Sequence, residues 1–125
     1  MKYFLIIEGR LDNLNDYTNA CRINRHAGAK MKSNNENIVK AAIMQQLRRV
    51  RIAKPVYMTY NWYEADKKRD LDNISSFGRK VIQDSLVQTK VLQNDGWRNI
   101  VGFQDNFYKD PARPRIEVII EEVER

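Results

Sequence analysis

The order of apolar and polar positions predicts four strands in this chain. Residues 1–8 contain five consecutive apolar side chains, a run too short for a signal peptide and followed by no small-residue cleavage site, so we expect a buried first strand. Residues 56–63 are rich in β-branched and aromatic side chains, which favour extended structure. Two more strands are expected at residues 99–107 and 115–123, and the alternating pattern of the last one is typical of a sheet with one buried face.

Apolar residues at helical spacing predict helices between these strands. Turn formers and candidate N-caps after the first strand indicate that a helix begins near Leu14 or Asn15. We interpret the polar residues 22–29 as a break, followed by a longer helix over about residues 32–51.

Another amphipathic helix is expected over residues 73–88, with Asp72 at the N-cap position. The elements predict one α+β domain spanning residues 1–125, in the order β-α-β-α-β-β, with a mixed sheet packed with helices. A length of 125 residues, with 42% apolar and 30% charged residues, agrees with a single globular domain. The single Cys21 cannot form an internal disulfide, and no stretch approaches the ~20 apolar residues of a membrane span, so a cytoplasmic protein without a membrane partner is expected.

The net charge of +6 is unevenly distributed along the chain. Residues 1–62 hold eleven Lys and Arg against four Asp and Glu, whereas residues 63–125 hold eleven against twelve. A basic surface beside an acidic cluster is what a nuclease requires, because cations neutralise the phosphates and carboxylates hold a metal. A solvated basic helix surface would give the same charge pattern.

Residues 66–73, Asp-Lys-Lys-Arg-Asp-Leu-Asp-Asn, concentrate the candidate chemistry in one turn. On an extended backbone, Asp70 and Asp72 would point the same way with their Cα atoms about 6.6 Å apart. Magnesium prefers such a site, in which one or two carboxylates, water and substrate phosphate oxygens complete the octahedron. Lys67, Lys68 and Arg69 would attract the polyanion. The alternatives are that Asp72 is only a helix cap and Asp70 only forms a surface ion pair with Arg69.

Further candidates lie after this turn. Asp95, in an Asp-Gly turn, offers a third carboxylate. Lys80, two helical turns after Asp72, could stabilise charge that develops in the transition state, and Arg79 is its neighbour and rival. An ordinary solvated helix surface is the alternative for both cations.

Other site classes are excluded or weak. The only histidine is His26, so no histidine-based zinc site or Ser-His-Asp triad can be assembled. The five glycines are scattered, which excludes a phosphate loop or a dinucleotide fingerprint, and no organic cofactor is expected. Trp62, Trp97 and Phe103 could stack on bases, although large aromatic residues are more often part of a core.

Two blocks of this sequence resemble the RusA family of Holliday junction resolvases, small endonucleases often carried by prophages. The blocks are Arg-Asp-Leu-Asp-Asn at residues 69–73 and Asn-Asp-Gly-Trp at residues 94–97. The front of the chain is similar to the family's Gram-positive and phage branch, through residues 9–11, 14–17 and 28–32. The resemblance therefore covers nearly the whole chain, in the expected order.

The resemblance implies a RusA-like homodimer that binds a four-way DNA junction and makes paired, symmetric nicks with Mg²⁺, in DNA recombination and repair. It implies that Asp70, Asp72 and Asp95 are the catalytic, metal-binding carboxylates. The better-known branch of the family has a lysine four residues after the second Asp, where this chain has Ser76, and Lys80 is the candidate replacement. The predicted DNA-binding residues are Lys67, Lys68, Arg69, Asn73, Arg79, Lys30 and Lys32.

Two other functions remain as alternatives. The first is a basic protein that binds branched DNA without catalysis, which would have no need of three carboxylates. The second is a small basic protein whose acidic turn only caps a helix.

Overall fold

A computed structural model of the chain describes residues 1–124 and confirms the α+β class. The four strands and three helices are β1 (Lys2–Glu8), α1 (Leu14–Ile23), α2 (Arg25–Gln46), β2 (Val56–Glu64), α3 (Leu71–Gln88), β3 (Ile100–Lys109) and β4 (Arg115–Glu122). Within residues 1–124, no helix has an apolar stretch long enough to span a membrane.

The strands form one mixed sheet in the order β1-β4-β2-β3. The last strand, β4, is antiparallel to both β1 and β2 and lies between them. β2 and β3 are parallel, because α3 carries the chain from the end of one strand back to the start of the other. This β2-α3-β3 unit determines where the candidate site residues lie.

The core lies between one face of the sheet and the helices. In β2, every second residue from Val56 to Glu64 is buried, as the 2-residue period of a strand requires. α2 and α3 pack on the sheet, and α1 packs against both of these helices. Trp62 is among the largest buried side chains, and its ring packs against Gly78 of α3. A Cβ at position 78 would lie only 2.9 Å from that ring, so glycine lets α3 pack closely on β2.

The predicted break at residues 22–29 is present but is only one residue long, Asn24, and the predicted start of the second helix near residue 32 is wrong because α2 begins at Arg25. Asn24 is the C-cap of α1 and the N-cap of α2, where its side chain accepts a 2.7 Å hydrogen bond from the Ala27 amide. Gly28 belongs to α2, and a Cβ there would lie 2.5 Å from the Cys21 sulfur. This glycine therefore permits close helix packing and does not end a helix.

The predicted end of α2 at Arg51 is also wrong, because the helix ends at Gln46. The buried Leu47 is the C-cap, and the Ile52 amide donates a 2.8 Å hydrogen bond to the Val91 carbonyl. The chain leaves the helix early because Ile52 pairs with the segment that follows α3.

Candidate functional site

Asp70 and Asp72 lie at the start of α3. Asp70 is the N-cap, with φ −67° and ψ 152°, but its carboxylate accepts no hydrogen bond from the first-turn amides. Asp72 lies in the first turn, and its backbone carbonyl accepts a 2.7 Å hydrogen bond from the Ser76 hydroxyl. None of the ion pairs or side-chain hydrogen bonds of residues 1–124 uses either carboxylate, and the positive end of the helix dipole favours negative charge there. Both groups are therefore available to a ligand.

The expected geometry of this pair was wrong in two respects. Asp70, and not Asp72, is the N-cap of α3. Leu71 is the first helical residue, so the two aspartates do not alternate along an extended segment. The chain is extended at Asp70 and helical at Asp72, which changes the direction of the second side chain.

A cavity of about 490 Å³ opens beside Asp70. Its walls are the end of β2, the loop before α3 and the end of β3, and the lining is Glu64, Asp66, Lys67, Arg69, Asp70, Leu71, Ile74, Phe107, Tyr108 and Lys109. Because β2 and β3 are parallel, their carboxyl ends meet at this edge of the sheet, which is where α/β folds place ligands.

Arg69 is bound within the protein. Its guanidinium forms two hydrogen bonds to Glu64, at 2.8 and 2.9 Å, and a third to the Leu11 carbonyl at 3.1 Å. Glu64 is only 5% exposed, and Arg10 also approaches it at 3.5 Å. Arg69 therefore fixes the loop before α3 to β2 and to the start of the chain, and its predicted phosphate-binding role stays a prediction.

Sequence reasoning missed Glu64 because it ended the strand at Tyr63. The alternation of buried and partly exposed residues along β2 would have indicated it, since position 64 lies on the same face as the buried Tyr60 and Trp62. An acidic residue that ends a buried face requires a cation, and Arg69 is five residues away.

Two of the predicted phosphate-binding residues remain exposed at the site. Lys67 and Lys68 have no carboxylate partner in the described part of the chain. The Asp66 carboxylate accepts a 2.9 Å hydrogen bond from the Lys68 amide, so this aspartate stabilises the turn. Lys67 lines the cavity beside Asp70, and Lys68 is the next residue in the same turn.

Lys80 and Asp95 form an ion pair away from Asp70 and Asp72. The Lys80 ammonium lies 3.3 Å from Asp95 and 3.0 Å from Asp84, and Asp84 also binds Lys32 at 2.9 Å. The hydrogen bond to Asp84, supported by Asp95, raises the pKa of Lys80. Burial alone would raise the pKa of Asp84, but the two lysines outweigh it and lower that pKa. We call these four residues the charge network.

Within residues 1–124, the structure does not bring three acidic, histidine or cysteine side chains together as a metal-binding group. The topology gives the reason. α3 runs from the edge where β2 ends to the edge where β3 begins, so Asp70 and Asp72 lie at one end and the Asp95 loop lies towards the other. Lys80, which Asp95 contacts, is about 12 Å along the helix from Asp72.

The remaining predicted DNA-binding residues divide into bound and free side chains. Arg79 forms an ion pair with Asp105 and stacks on Phe103, with 4.4 Å from the guanidinium carbon to the ring centre. The Asn73 side chain accepts a 2.8 Å hydrogen bond from the Asn15 amide and so joins α3 to α1. Lys30 is exposed on α2.

Asp105 was not recognised in the sequence as a structural residue. It accepts a 2.9 Å hydrogen bond from the indole of Trp62 and also binds Arg79. The sequence contains no local signal for this role, because the three residues come from different elements.

No protein-family model matches this chain, and no curated protein matches its sequence.

Proposed function

We propose that this protein is a Mg²⁺-dependent, structure-selective endonuclease that resolves four-way DNA junctions. The observation that carries the proposal is the pair of unpartnered carboxylates, Asp70 and Asp72, at the positive end of α3 beside two exposed lysines. Exposed carboxylates that no cation of the protein neutralises are suited to receive a metal ion. The resemblance to the RusA family adds the class of substrate and the paired symmetric cuts.

The donor chemistry of the site fits magnesium. Asp70 and Asp72 supply hard oxygen ligands, and magnesium commonly binds through one or two carboxylates with water and phosphate oxygens. When bound, the ion would polarise a phosphoryl oxygen and make a bound water more acidic. The protein would supply two carboxylate ligands to the ion and not three, because Asp95 is paired with Lys80.

The residues around the pair supply the other requirements of phosphodiester cleavage. Lys67 and Lys68 bind the phosphates on either side of the cut, where their attraction does not depend on base sequence. Lys80 lies on the same helix as the acids, but its ammonium is paired with Asp84 and Asp95, so it takes part in cleavage only where the bound DNA displaces those partners. Arg69 keeps the loop in place through Glu64.

Two equivalent cuts in a two-fold junction require two equivalent sites, and a homodimer is the simplest way to supply them.

The test incubates the purified protein with a synthetic four-way junction and with linear duplex DNA of the same sequence, with and without Mg²⁺. We expect paired nicks only in the junction and only with the metal. Asp72→Asn should cleave at least about 100-fold more slowly while binding the junction normally. Glu124→Gln is the control, because Glu124 is an exposed acid just after β4, beside the start of β2 and so at the opposite edge of the sheet from Asp70, and this variant should cleave like wild type. A wild-type protein that binds junctions but cuts none with Mg²⁺ or Mn²⁺ would disprove the proposal.

The ion pair between Lys80 and Asp95 favours one second candidate, a protein that binds branched DNA without cutting it. In that case Asp95 is a structural partner of Lys80, and the carboxylate trio has no catalytic task. The same experiment decides between the two, since a binder would give a metal-independent complex and no nicks.

A further inference from the structure

Trp97 is exposed in a way that the fold does not explain. Its side chain is 93% exposed, which makes it the most exposed of the large apolar residues in residues 1–124. Tryptophan is the side chain with the most to gain from burial, and an exposed one commonly marks a binding surface. The buried Trp62, by contrast, belongs to the core.

The turn that carries Trp97 is well fixed. The amides of Asn99 and Ile100 donate hydrogen bonds of 3.0 and 2.9 Å to the Gly96 carbonyl, and the Asn99 carbonyl accepts a bond from Val56 of β2. The backbone on both sides of Trp97 is therefore attached to the sheet, and the ring is presented to solvent by an ordered turn.

A second cavity, of about 360 Å³, lies next to this ring. Trp97 and Phe103, which is 47% exposed, contribute aromatic surface to its lining, and Asp95 and Gln83 contribute polar groups. Gly102 also lines it without a side chain that would narrow it. A flat apolar wall with a few polar groups is suited to a planar heterocycle.

The charges around this cavity favour a ligand that carries phosphate. Arg98, next to Trp97, is exposed and has no carboxylate partner in the range Met1 to Glu124. Arg79 stacks on Phe103, but its charge is paired with Asp105, so Arg98 is the cation available to a phosphate. The one acid in the lining, Asp95, is neutralised by Lys80 and can still accept a hydrogen bond from the amino group of a base.

We propose that this cavity binds a nucleobase that leaves the stack at a DNA branch point, with the base stacked on Trp97 and Arg98 on the adjacent phosphate. The proposal rests on the proposed function in taking DNA as the ligand, and it extends that function from cleavage to recognition of the branch. A fully paired duplex keeps its bases stacked inside, whereas a branch point offers a base that can leave the stack at low cost. The cavity thus distinguishes a junction from linear DNA.

The test measures binding in EDTA, so that cleavage plays no part. Fluorescence anisotropy gives the affinity of each variant for a labelled four-way junction and for linear duplex of the same sequence. Trp97→Ala should weaken junction binding by about 5- to 150-fold, the range for loss of one base–aromatic stack, and leave duplex binding unchanged. Trp97→Phe should restore most of the affinity, because it keeps an aromatic ring.

Two controls make the result specific. Phe4→Ala removes another exposed aromatic ring, on β1, and should leave junction binding unchanged. Junction DNA should quench tryptophan emission in wild type but not in Trp97→Phe, because the remaining Trp62 is buried. Since Trp97 is exposed, the circular dichroism spectrum of Trp97→Ala should match that of wild type.

Three outcomes would overturn the inference. Junction binding by Trp97→Ala that equals wild type removes Trp97 from recognition. An equal loss for junction and duplex assigns it to general DNA contact. A change from dimer to monomer in sedimentation assigns the ring to a contact between copies. If wild type binds junctions through Trp97 but cuts none, the proposed function fails and this inference stands.

Discussion

At the scale of single residues, the site depends on acids that have different tasks. Glu64 is buried and paired, whereas Asp70 and Asp72 are exposed and unpaired. A paired acid contributes to folding and an unpaired one is available for binding. All three lie within nine residues of the sequence, so only their interaction partners in the structure distinguish the paired acid from the two unpaired ones.

Glu64→Gln should destabilise the fold by about 3 kcal/mol, because it leaves the partly buried Arg69 without its counter-charge. Urea denaturation followed by circular dichroism measures this loss. Glu117→Gln is the matched control, since Glu117 pairs with Arg115 at a more exposed position and should cost at most about 1 kcal/mol. Equal effects of the two substitutions would show that Arg69 is not held by Glu64 and is free to bind phosphate.

Sequence reasoning located the acidic turn and the exposed lysines, and it identified Lys80 and Asp95 as candidates. It could not assign partners to the cations. Arg69 and Lys68 are neighbours with similar chemistry, yet one enters a cleft beside Glu64 and the other points to solvent. Arg69 reaches Glu64 because the loop before α3 lies close to β2, and this closeness cannot be read from the local sequence pattern.

At the scale of elements, the end of α3 contains a strained residue. Lys90 follows the C-cap of the helix with φ 66°, a left-handed conformation that costs a residue with a Cβ about 1 kcal/mol and that glycine adopts freely. Its amide donates a 3.0 Å hydrogen bond to the Val87 carbonyl, so this conformation closes the helix.

Lys90→Gly should therefore stabilise the protein by about 1 kcal/mol, measured as a higher midpoint of thermal unfolding. Lys90→Ala is the control, because it removes the same charge and side chain but keeps the Cβ, and it should give no such gain. A gain of equal size in both variants would mean that the charge of Lys90, and not its backbone conformation, limits stability.

Strand positions were predictable because each strand has a clear apolar or aromatic pattern. The predicted strand at residues 115–123 agrees with β4 to within one residue, and that at residues 56–63 misses only Glu64 of β2. Helix ends were less predictable, because they depend on capping and on tertiary contacts. The single residue Asn24 separates α1 from α2. α2 ends before Ile52, because Ile52 pairs with the segment that follows α3.

At the scale of the whole molecule, the charge network joins three parts of the chain. Lys32 comes from α2, Lys80 and Asp84 come from α3, and Asp95 comes from the loop before β3. Because the pKa of Asp84 is lowered in the folded state, its contribution to stability is complete above the pKa of an unfolded aspartate. The contribution is lost as the pH falls through the folded pKa.

We therefore expect the free energy of unfolding to fall below about pH 4, and to fall less steeply in Asp84→Asn. Urea denaturation at a series of pH values from about 2 to about 7 measures both curves. Asp16→Asn removes the same charge outside the network and should keep the wild-type slope. Parallel curves for wild type and Asp84→Asn would contradict the role of the network.

A residual slope is expected in Asp84→Asn. Arg113 lowers the pKa of Glu8 through a hydrogen bond, and Arg115 does the same for Asp110. Both acids contribute stability with the same sign as Asp84, so the variant curve should be shallower but not flat.

The arrangement of the strands in space was beyond the sequence. The α+β class follows from the order of elements, but nothing in the apolar pattern of β4 indicates that it lies between β1 and β2. For the same reason the distance between Asp95 and the Asp70–Asp72 pair could not be predicted. It depends on the crossover of α3 between two parallel strands.

The central position of β4 has a consequence for how the protein is made. β1 and β2 do not pair with each other, and β1 joins the sheet only through β4, which is the last of the described elements along the chain. During synthesis on the ribosome the first strand has both edges unpaired until its partner emerges more than one hundred residues later, as the pairing of Lys2 with Glu121 shows. Such non-local pairing slows folding and exposes the nascent chain to chaperones and to aggregation. The sheet is completed only when Arg115–Glu122 has left the exit tunnel.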